Sequence, residues 1–285
     1  MTFKDNSSWV ILNSIEQHIK QKIELNGKPL RELGVSINYG IKTGCNEAFI
    51  IDTEKKDELI SQDPKSAEII RPILRGKDIK RYGYSFANLW LIATFPSKNY
   101  DINDYPAVRD YLLSFGMEKL EQTGKEYTIN GEKIKARKKT TNKWFETQDS
   151  IAYWDDLFKQ KIVYREISNN MDACLIPEEI CINNKCYFLV GNNLEYLLLV
   201  FNSKLFNKLI LKEVNSTGGK GNQFLENINI PEPDDDIIKE FKELYNQRIN
   251  CPLEEIERIE QTIDEAVCKL YSLSSEEKEY INGLN

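Results

Sequence analysis

GIKTGCNEAFI, Gly40–Ile50, is the stretch from which the rest of the chain is best read. Two glycines bracket a short basic segment, and strand-like sequence lies on either side at Leu33–Tyr39 and Ala48–Ile51. Glycine accepts backbone angles that side chains resist and lets a second backbone approach closely. A nucleotide-binding loop needs a longer spacing ending in Gly-Lys-Ser/Thr, and a dinucleotide fingerprint needs three spaced glycines. Neither pattern is present. The segment therefore reads either as a plain strand connection or as an exposed turn. In the second case Lys42, Thr43 and Asn46 can reach phosphates or base edges.

Working outward, SAEIIRPILRGKDIKRY (Ser66–Tyr82) places Arg75, Lys77, Lys80 and Arg81 around Gly76. They suit phosphate contacts along one side of a duplex, or a solvated face with local pairing to Asp78. Lys133, Lys135, Arg137, Lys138, Lys139 and Lys143 form a run with no acid among them, the densest positive charge in the chain. Its plainer reading is an exposed hairpin. KWFETQDSIAYWDDLFKQKIVYREIS (Lys143–Ser168) follows, with Trp144, Tyr153 and Trp154 bracketing Glu146, Asp149, Asp155 and Asp156 in a helix-like run. Its last basic residue, Arg165, joins the candidate DNA contacts. After LVFNSKLFNKLI (Leu199–Ile210) comes a polar, glycine-hinged loop carrying Lys212, Asn215, Ser216, Thr217, Lys220, Asn222 and Gln223. Asn and Gln can pair bidentately with adenine, and Lys can read guanine.

The periodicities give an alternation of short strands and helices. Ser7 or Ser8 can cap a helix from near Trp9, with Leu12, Ile15, Ile19 and Ile23 on one face and Gly27 at its end. Thr53–Ile60 reads as a short helix, Leu89–Thr94 as a strand closed by Pro96, and Tyr105–Gly116 as a helix with Pro106 in its first turn. Tyr127–Ile134 reads as a hairpin turning at Asn130-Gly131. Lys161–Tyr164 is a strand, and Cys174–Ile176, Glu179–Ile182 and Cys186–Val190 suggest a small antiparallel meander. Leu194–Asn202, Lys204–Val214, Asp234–Arg248 and Pro252–Tyr271 are helical by pattern. The last carries a stripe of Ile256, Ile259, Ile263, Val267 and Leu270.

Composition bounds the function. With 285 residues, 41% hydrophobic and 29% charged, the chain is long enough for a substantial core. The apolar stretch Tyr196–Phe201 is too short to span a bilayer, and no basic-then-apolar leader opens the sequence. A cytoplasmic protein is expected, with reduced thiols. The six cysteines and single histidine, His18, match no zinc spacing. The net charge of −7 argues against nucleic acid until its distribution is considered. Residues 231–285 hold 6 basic and 15 acidic side chains, whereas residues 1–230 hold 32 basic and 30 acidic. Local potential matters more to a phosphate backbone than whole-chain charge.

Taken in order, these four segments resemble the target-recognition region of adenine-specific DNA methyltransferases and fused restriction-methylation enzymes. The match is similar to the C-terminal specificity domain that follows the TaqI-type methylase core in the Eco57I-like family. It runs through most of Leu30–Pro233, with a family-like helical ending at Cys251–Leu273. The resemblance implies duplex DNA as a partner and a methyltransferase catalytic domain or subunit beside it. It implies S-adenosylmethionine for that parent enzyme, and Mg2+ if the parent is a nuclease. The methylase signatures, a glycine-rich cofactor motif and Asn-Pro-Pro-Tyr/Phe, do not occur; Asn229-Ile230-Pro231 is no substitute. No cofactor, metal or catalytic residue is therefore expected in this chain.

The sequence thus predicts an α+β fold: a mixed or antiparallel-sheet target-recognition domain over 30–233, a leading helix and linker over 1–29, and a C-terminal helical pair over 234–285. Its expected function is sequence-specific recognition of double-stranded DNA in a restriction-modification system. One alternative is a protein-interaction module that docks a methylase or nuclease subunit. Another is a hydrolase with a carboxylate site assembled from scattered acids.

Overall fold

Asn13 caps the first helix, α1 (Ser14–Asn26), through a capping box: its side chain accepts the Glu16 N–H at 2.9 Å, and the Glu16 carboxylate accepts the Asn13 N–H at 3.0 Å. The computed structural model describes residues 12–211 and 222–284, so the expected cap at Ser7 or Ser8 lies outside the described residues. Gly27 ends the helix as expected.

The main elements then follow: β1 (Val35–Tyr39), β2 (Ile50–Asp52), α2 (Thr53–Gln62), β3 (Ile70–Leu74), β4 (Leu89–Ile92) and α3 (Pro106–Leu113). A hairpin, β5 (Glu126–Ile129) and β6 (Glu132–Lys135), turns at Asn130 and Gly131, both at positive φ, 51° and 85°. That is the backbone Asn-Gly favours in a two-residue turn. Next come β7 (Lys161–Arg165), β8 (Cys174–Ile176), β9 (Cys181–Ile182), β10 (Cys186–Gly191) and α4 (Leu194–Asn202). The chain closes with α5 (Asp235–Asn250), α6 (Ile256–Leu270) and a third helix beyond the expected pair, α7 (Ser275–Gly283).

Two four-stranded sheets organise these elements into the expected α+β architecture. The central sheet, in order β8–β7–β10–β1, is antiparallel throughout. The second, β9–β3–β4–β2, is antiparallel except for β9 beside β3. Here the expected meander is corrected. Cys181–Ile182 leaves its sequence neighbours and pairs in parallel with Ile73–Leu74, while β8 and β10 flank β7 rather than each other.

The central sheet is buried on both faces because its side chains alternate. Ile37, Ile162, Tyr164 and Leu189 face a core shared with Ile19, the apolar side chains of α4, and Phe241, Ile263 and Ile281. Val163, Phe188 and Val190 face a second core with Ile73, Leu91 and Phe95 of the other sheet. The stripe on α6 does bury Ile259, Ile263 and Val267. Those three side chains contribute on the order of 5–9 kcal/mol of gross burial energy before chain entropy is set against it. The aromatic and acidic run from Trp144 to Asp156 is not the helix its pattern suggests. Only Trp154–Leu157 makes a helical turn, and Lys143–Tyr153 is irregular chain held by side-chain hydrogen bonds.

Candidate nucleic-acid interface

Gly40 leaves β1 where three connections meet. Its N–H donates to Cys186 O at 2.8 Å, Ile41 N–H to Ile182 O at 2.8 Å, and Asn184 N–H back to Ile41 O at 2.9 Å. Asn183 N–H donates to Leu74 O at 3.0 Å, which ties the start of the Arg75–Arg81 turn to the same point. A Cβ on Gly40 would sit 2.1 Å from Asn183 O, so the close approach requires glycine. Gly76 packs against Lys185, whose Cβ would lie 3.2 Å from an added methyl. The turn Asn183–Lys185 is therefore a joint between the two expected loops. Sequence reasoning missed it, although paired asparagines before a lysine are a turn signal; the Asn183 side chain accepts the Lys185 N–H at 3.2 Å.

Arg137 makes the second joint. Its Nε donates to Leu120 O at 2.8 Å, and Nη1 donates to Thr43 O at 2.9 Å and Glu146 O at 2.7 Å. Nη2 donates to Trp144 O, and the guanidinium lies 5.0 Å from the Phe49 ring centroid. The residue is 4% exposed, and burial pulls its pKa down to about 10. The expected phosphate contact at Arg137 is thus corrected: all of these donors are spent on backbone carbonyls, and the side chain ties the Gly40–Asn46 loop to the basic segment.

Further bonds make this junction rigid. Gln148 N–H donates to Lys42 O at 3.0 Å, and Thr147 N–H to Thr94 O at 3.0 Å. Asn142 Nδ2 donates to Gln148 O at 2.9 Å, and Gln122 Nε2 to Lys143 O and Glu146 O, each at 3.1 Å. Gly44, at φ +78°, gives Gln148 and Arg137 room that a side chain would fill. Thr43 belongs to this interior too. It is buried, its hydroxyl donates to Asn46 Oδ1 at 2.7 Å, and it does not present a group outward as expected.

Among the expected contacts, the exposed cations differ from the internally engaged ones in type. Lys42, Lys77, Lys80, Lys133, Lys135, Lys138 and Lys139 are exposed and form no ion pair among the described residues. Lys143 is exposed with a loose 3.9 Å contact to Glu146, and Asn46 is exposed beside Thr43. The arginines are engaged internally. Arg75 grips Asp78 bidentately, both bonds at 2.9 Å. Arg81 pairs with Glu260 on α6 and donates to Asn202 O at 2.8 Å. Arg165 pairs with Asp172. In the structure these three act as struts, because the planar guanidinium fork finds a carboxylate or carbonyl nearby, whereas the lysine stems named above reach solvent.

Lys42, Lys77 and Lys185 thus belong to segments that backbone bonds join, and Lys138 follows Arg137, whose guanidinium donates to Thr43 O in the Lys42 loop. Lys133 and Lys135 lie farther along the hairpin on β6, opposite Thr128 and Glu126. Arg81 is drawn instead toward the C-terminal helices. Lys212, Asn215, Ser216, Thr217 and Lys220 fall outside the described residues; Asn222 and Gln223 open the short helix Asn222–Leu225. Among the described residues no group of histidine, cysteine and carboxylate side chains could hold a metal ion, and no helix is long and apolar enough to cross a membrane.

A family model for the TaqI-like C-terminal specificity domain matches residues 71–228, more than half of the chain. The chain belongs to this family. It is a specificity domain of the kind found in restriction-modification systems, as the four sequence segments suggested. Among curated proteins it is similar to the type II methyltransferase M.PaeR7I of Pseudomonas aeruginosa. The two are 24% identical over 288 residues, which is 96% of this chain and 45% of the relative. Among solved structures it shares a fold with the type IIL restriction-modification enzyme MmeI in complex with DNA. The TM-score is 0.54 and the identity 14%, over 90% of this chain and 37% of that one. The type IIG restriction endonuclease BpuSI is more distant, at a TM-score of 0.47 and 13% identity over 93% of this chain and 34% of that one. The specificity domain spans less than half the length of each of these relatives.

Proposed function

We propose that this specificity domain reads a short sequence in double-stranded DNA for an adenine methyltransferase, and that the reading surface is built around the Gly40, Asn183 and Arg137 junctions. One observation carries the reading: Lys42 and Lys77, which form no ion pair among the described residues, and Lys185, which contacts Glu166 at 3.6 Å, sit on connections joined by backbone bonds, and the Arg137 side chain ties Lys138 to the same junction. In this account Lys42, Lys77, Lys138, Lys139, Lys143 and the hairpin lysines set position on phosphates. Asn46 and Asn184 are the amide side chains placed to discriminate bases. Residues 30–233 form the reading body, and α1 on one side in sequence and α5 and α6 on the other support it through a core shared with α4. The acidic last segment turns toward protein, where a catalytic domain binds S-adenosylmethionine, and Mg2+ if it also cleaves. Flipping of the target adenine would belong to that domain, since the acceptor nitrogen otherwise lies within the base stack.

The test is selection from a randomised duplex library by the whole chain, repeated across a salt series. Enrichment of one short motif, with affinity falling steeply with salt, is expected. Exchange of Lys42, Lys138 and Lys139 for glutamine should flatten the salt slope by about 0.9 for each phosphate that is no longer neutralised. Enrichment of no motif at low salt refutes autonomous reading.

A further inference from the structure

Asp149 is a group beside the junction whose chemistry does not suit phosphate. It follows directly on the locked segment. Thr147 N–H is held by Thr94 O and Gln148 N–H by Lys42 O, each at 3.0 Å, and the Thr147 hydroxyl donates to Asp149 O at 3.4 Å. The side chain is half-buried, yet its carboxylate accepts no hydrogen bond and forms no ion pair among the described residues. Lys42 and Lys138 are its cationic neighbours within electrostatic reach, and burial holds its carboxyl above the usual range in spite of them. Tyr39 and Tyr153 are also within electrostatic reach of it, and their rings meet edge-on with centroids 5.4 Å apart; Tyr39 is 45% exposed.

The half-buried carboxylate still reaches solvent, but a bound duplex would displace that water and leave it without a donor, and the same group repels a DNA backbone. Both costs are offset if the bound partner supplies a hydrogen-bond donor at this point. Phosphate and deoxyribose in a duplex offer none. The donors in the major groove are the exocyclic amino groups, and a carboxylate pairs there with cytosine N4. The flanking lysines fit the same picture, since they would hold the phosphates on either side and bring the base edge to the acid.

Resting on the DNA-reading function above, we propose that Asp149 is a specificity-determining residue that accepts a hydrogen bond from the amino group of a cytosine in the recognised sequence. The competing role is purely local, in which Asp149 orients Lys42 and Lys138. The two roles differ in what they move. Removal of a base-reading group changes the preference at one position. Disturbed lysine orientation changes affinity for all sequences together and alters the salt slope.

The experiment is duplex selection with the whole chain as wild type, Asp149→Asn and Asp149→Ala, with a circular-dichroism melt to confirm folding. The wild type should enrich a motif containing a G·C pair whose preference depends on Asp149. Asp149→Ala should lower discrimination at that single position by about 10-fold, with the other positions and the salt slope unchanged. Asp149→Asn should move that position toward adenine, which an amide can meet bidentately. A wild-type preference for adenine at the affected position would overturn the cytosine assignment. Variants that enrich the wild-type motif with undiminished discrimination, or that lose affinity uniformly, would overturn the proposal while leaving DNA reading intact. If the wild type enriches nothing, the reading itself fails and this proposal falls with it.

Discussion

Replacing Arg137 with methionine should damage the fold and the DNA surface together, although its guanidinium faces the interior. The side chain donates to four backbone carbonyls, those of Leu120, Thr43, Glu146 and Trp144. A hydrogen bond from a charged donor contributes roughly 1.5–3 kcal/mol net, and a buried acceptor left without a donor costs about 1–3 kcal/mol. Four such bonds do not add, and removing the charge recovers several kcal/mol of desolvation, to order of magnitude. The balance is a destabilisation of about 3–5 kcal/mol for Arg137→Met. Arg137→Lys keeps a charge but has three donors and no planar fork, so about 1–3 kcal/mol is expected. Urea unfolding measures the change. Amide exchange at Gln148, whose N–H is bonded to Lys42 O, reports whether the junction opens locally. DNA affinity of Arg137→Met should fall while the salt slope stays at the wild-type value, because no phosphate partner is removed. Unchanged stability with a slope reduced by about 0.9 would instead mean that Arg137 touches DNA, and the reasoning from its burial would be wrong.

Other consequences follow from the same geometry. Gly40→Ala forces a methyl into Asn183 O and should cost at least about 2 kcal/mol, with faster exchange of the Ile41 and Asn184 amides; wild-type unfolding would refute the close approach. Lys161 is fully buried, donates to Leu157 O at 2.8 Å and Lys159 O at 2.9 Å, and has its pKa drawn down by burial to about 8. Between that value and about 10.4 the unfolded chain holds a proton that the folded chain has released, so Lys161 makes stability rise with pH across this window. The wild-type minus Lys161→Met difference in unfolding free energy should therefore increase from about pH 7.5 to about pH 10.5, and a flat difference would contradict the assignment. Burial pushes the thiols of Cys174, Cys181 and Cys186 up to about 12 and that of Cys268 to about 11, and raises Cys45 as well. A maleimide reagent should label only half-buried Cys251 in the folded chain; rapid native labelling at Cys181 would be inconsistent with this packing.

Features set by neighbours in sequence could be read in advance. The Asn130-Gly131 hairpin, Pro106 in the first turn of α3, Gly27 at the end of α1 and the buried stripe of α6 follow from local propensity and period. The features missed depend on distant partners. Cys181–Ile182 is two residues long, and its partner β3 lies about a hundred residues earlier, so no periodicity could show which sheet it joins. The charge run of Lys133–Lys143 revealed the sign of its members but not that Arg137, alone among them, turns inward to four carbonyls. Arg75, Arg81 and Arg165 raise a related difficulty: sequence shows a cation but not whether a carboxylate will claim it, and Glu260 reaches Arg81 only on folding. The spacing of Trp144, Tyr153 and Trp154 mimicked a helix because aromatic side chains from irregular chain also pack into the second core. The Asn183–Lys185 turn was missed even though paired asparagines are a local turn signal, and its role as a joint comes from bonds to Ile41 and Leu74.

The most direct test of the central claim is a hydrogen-exchange footprint of the whole chain with and without a duplex carrying the enriched motif. The account predicts added protection in Gly40–Asn46, Lys138–Asp149 and Asn183–Lys185, with the α5–α7 helices unchanged. Protection confined to those C-terminal helices, or none at the three junction segments while the duplex stays bound, would contradict it.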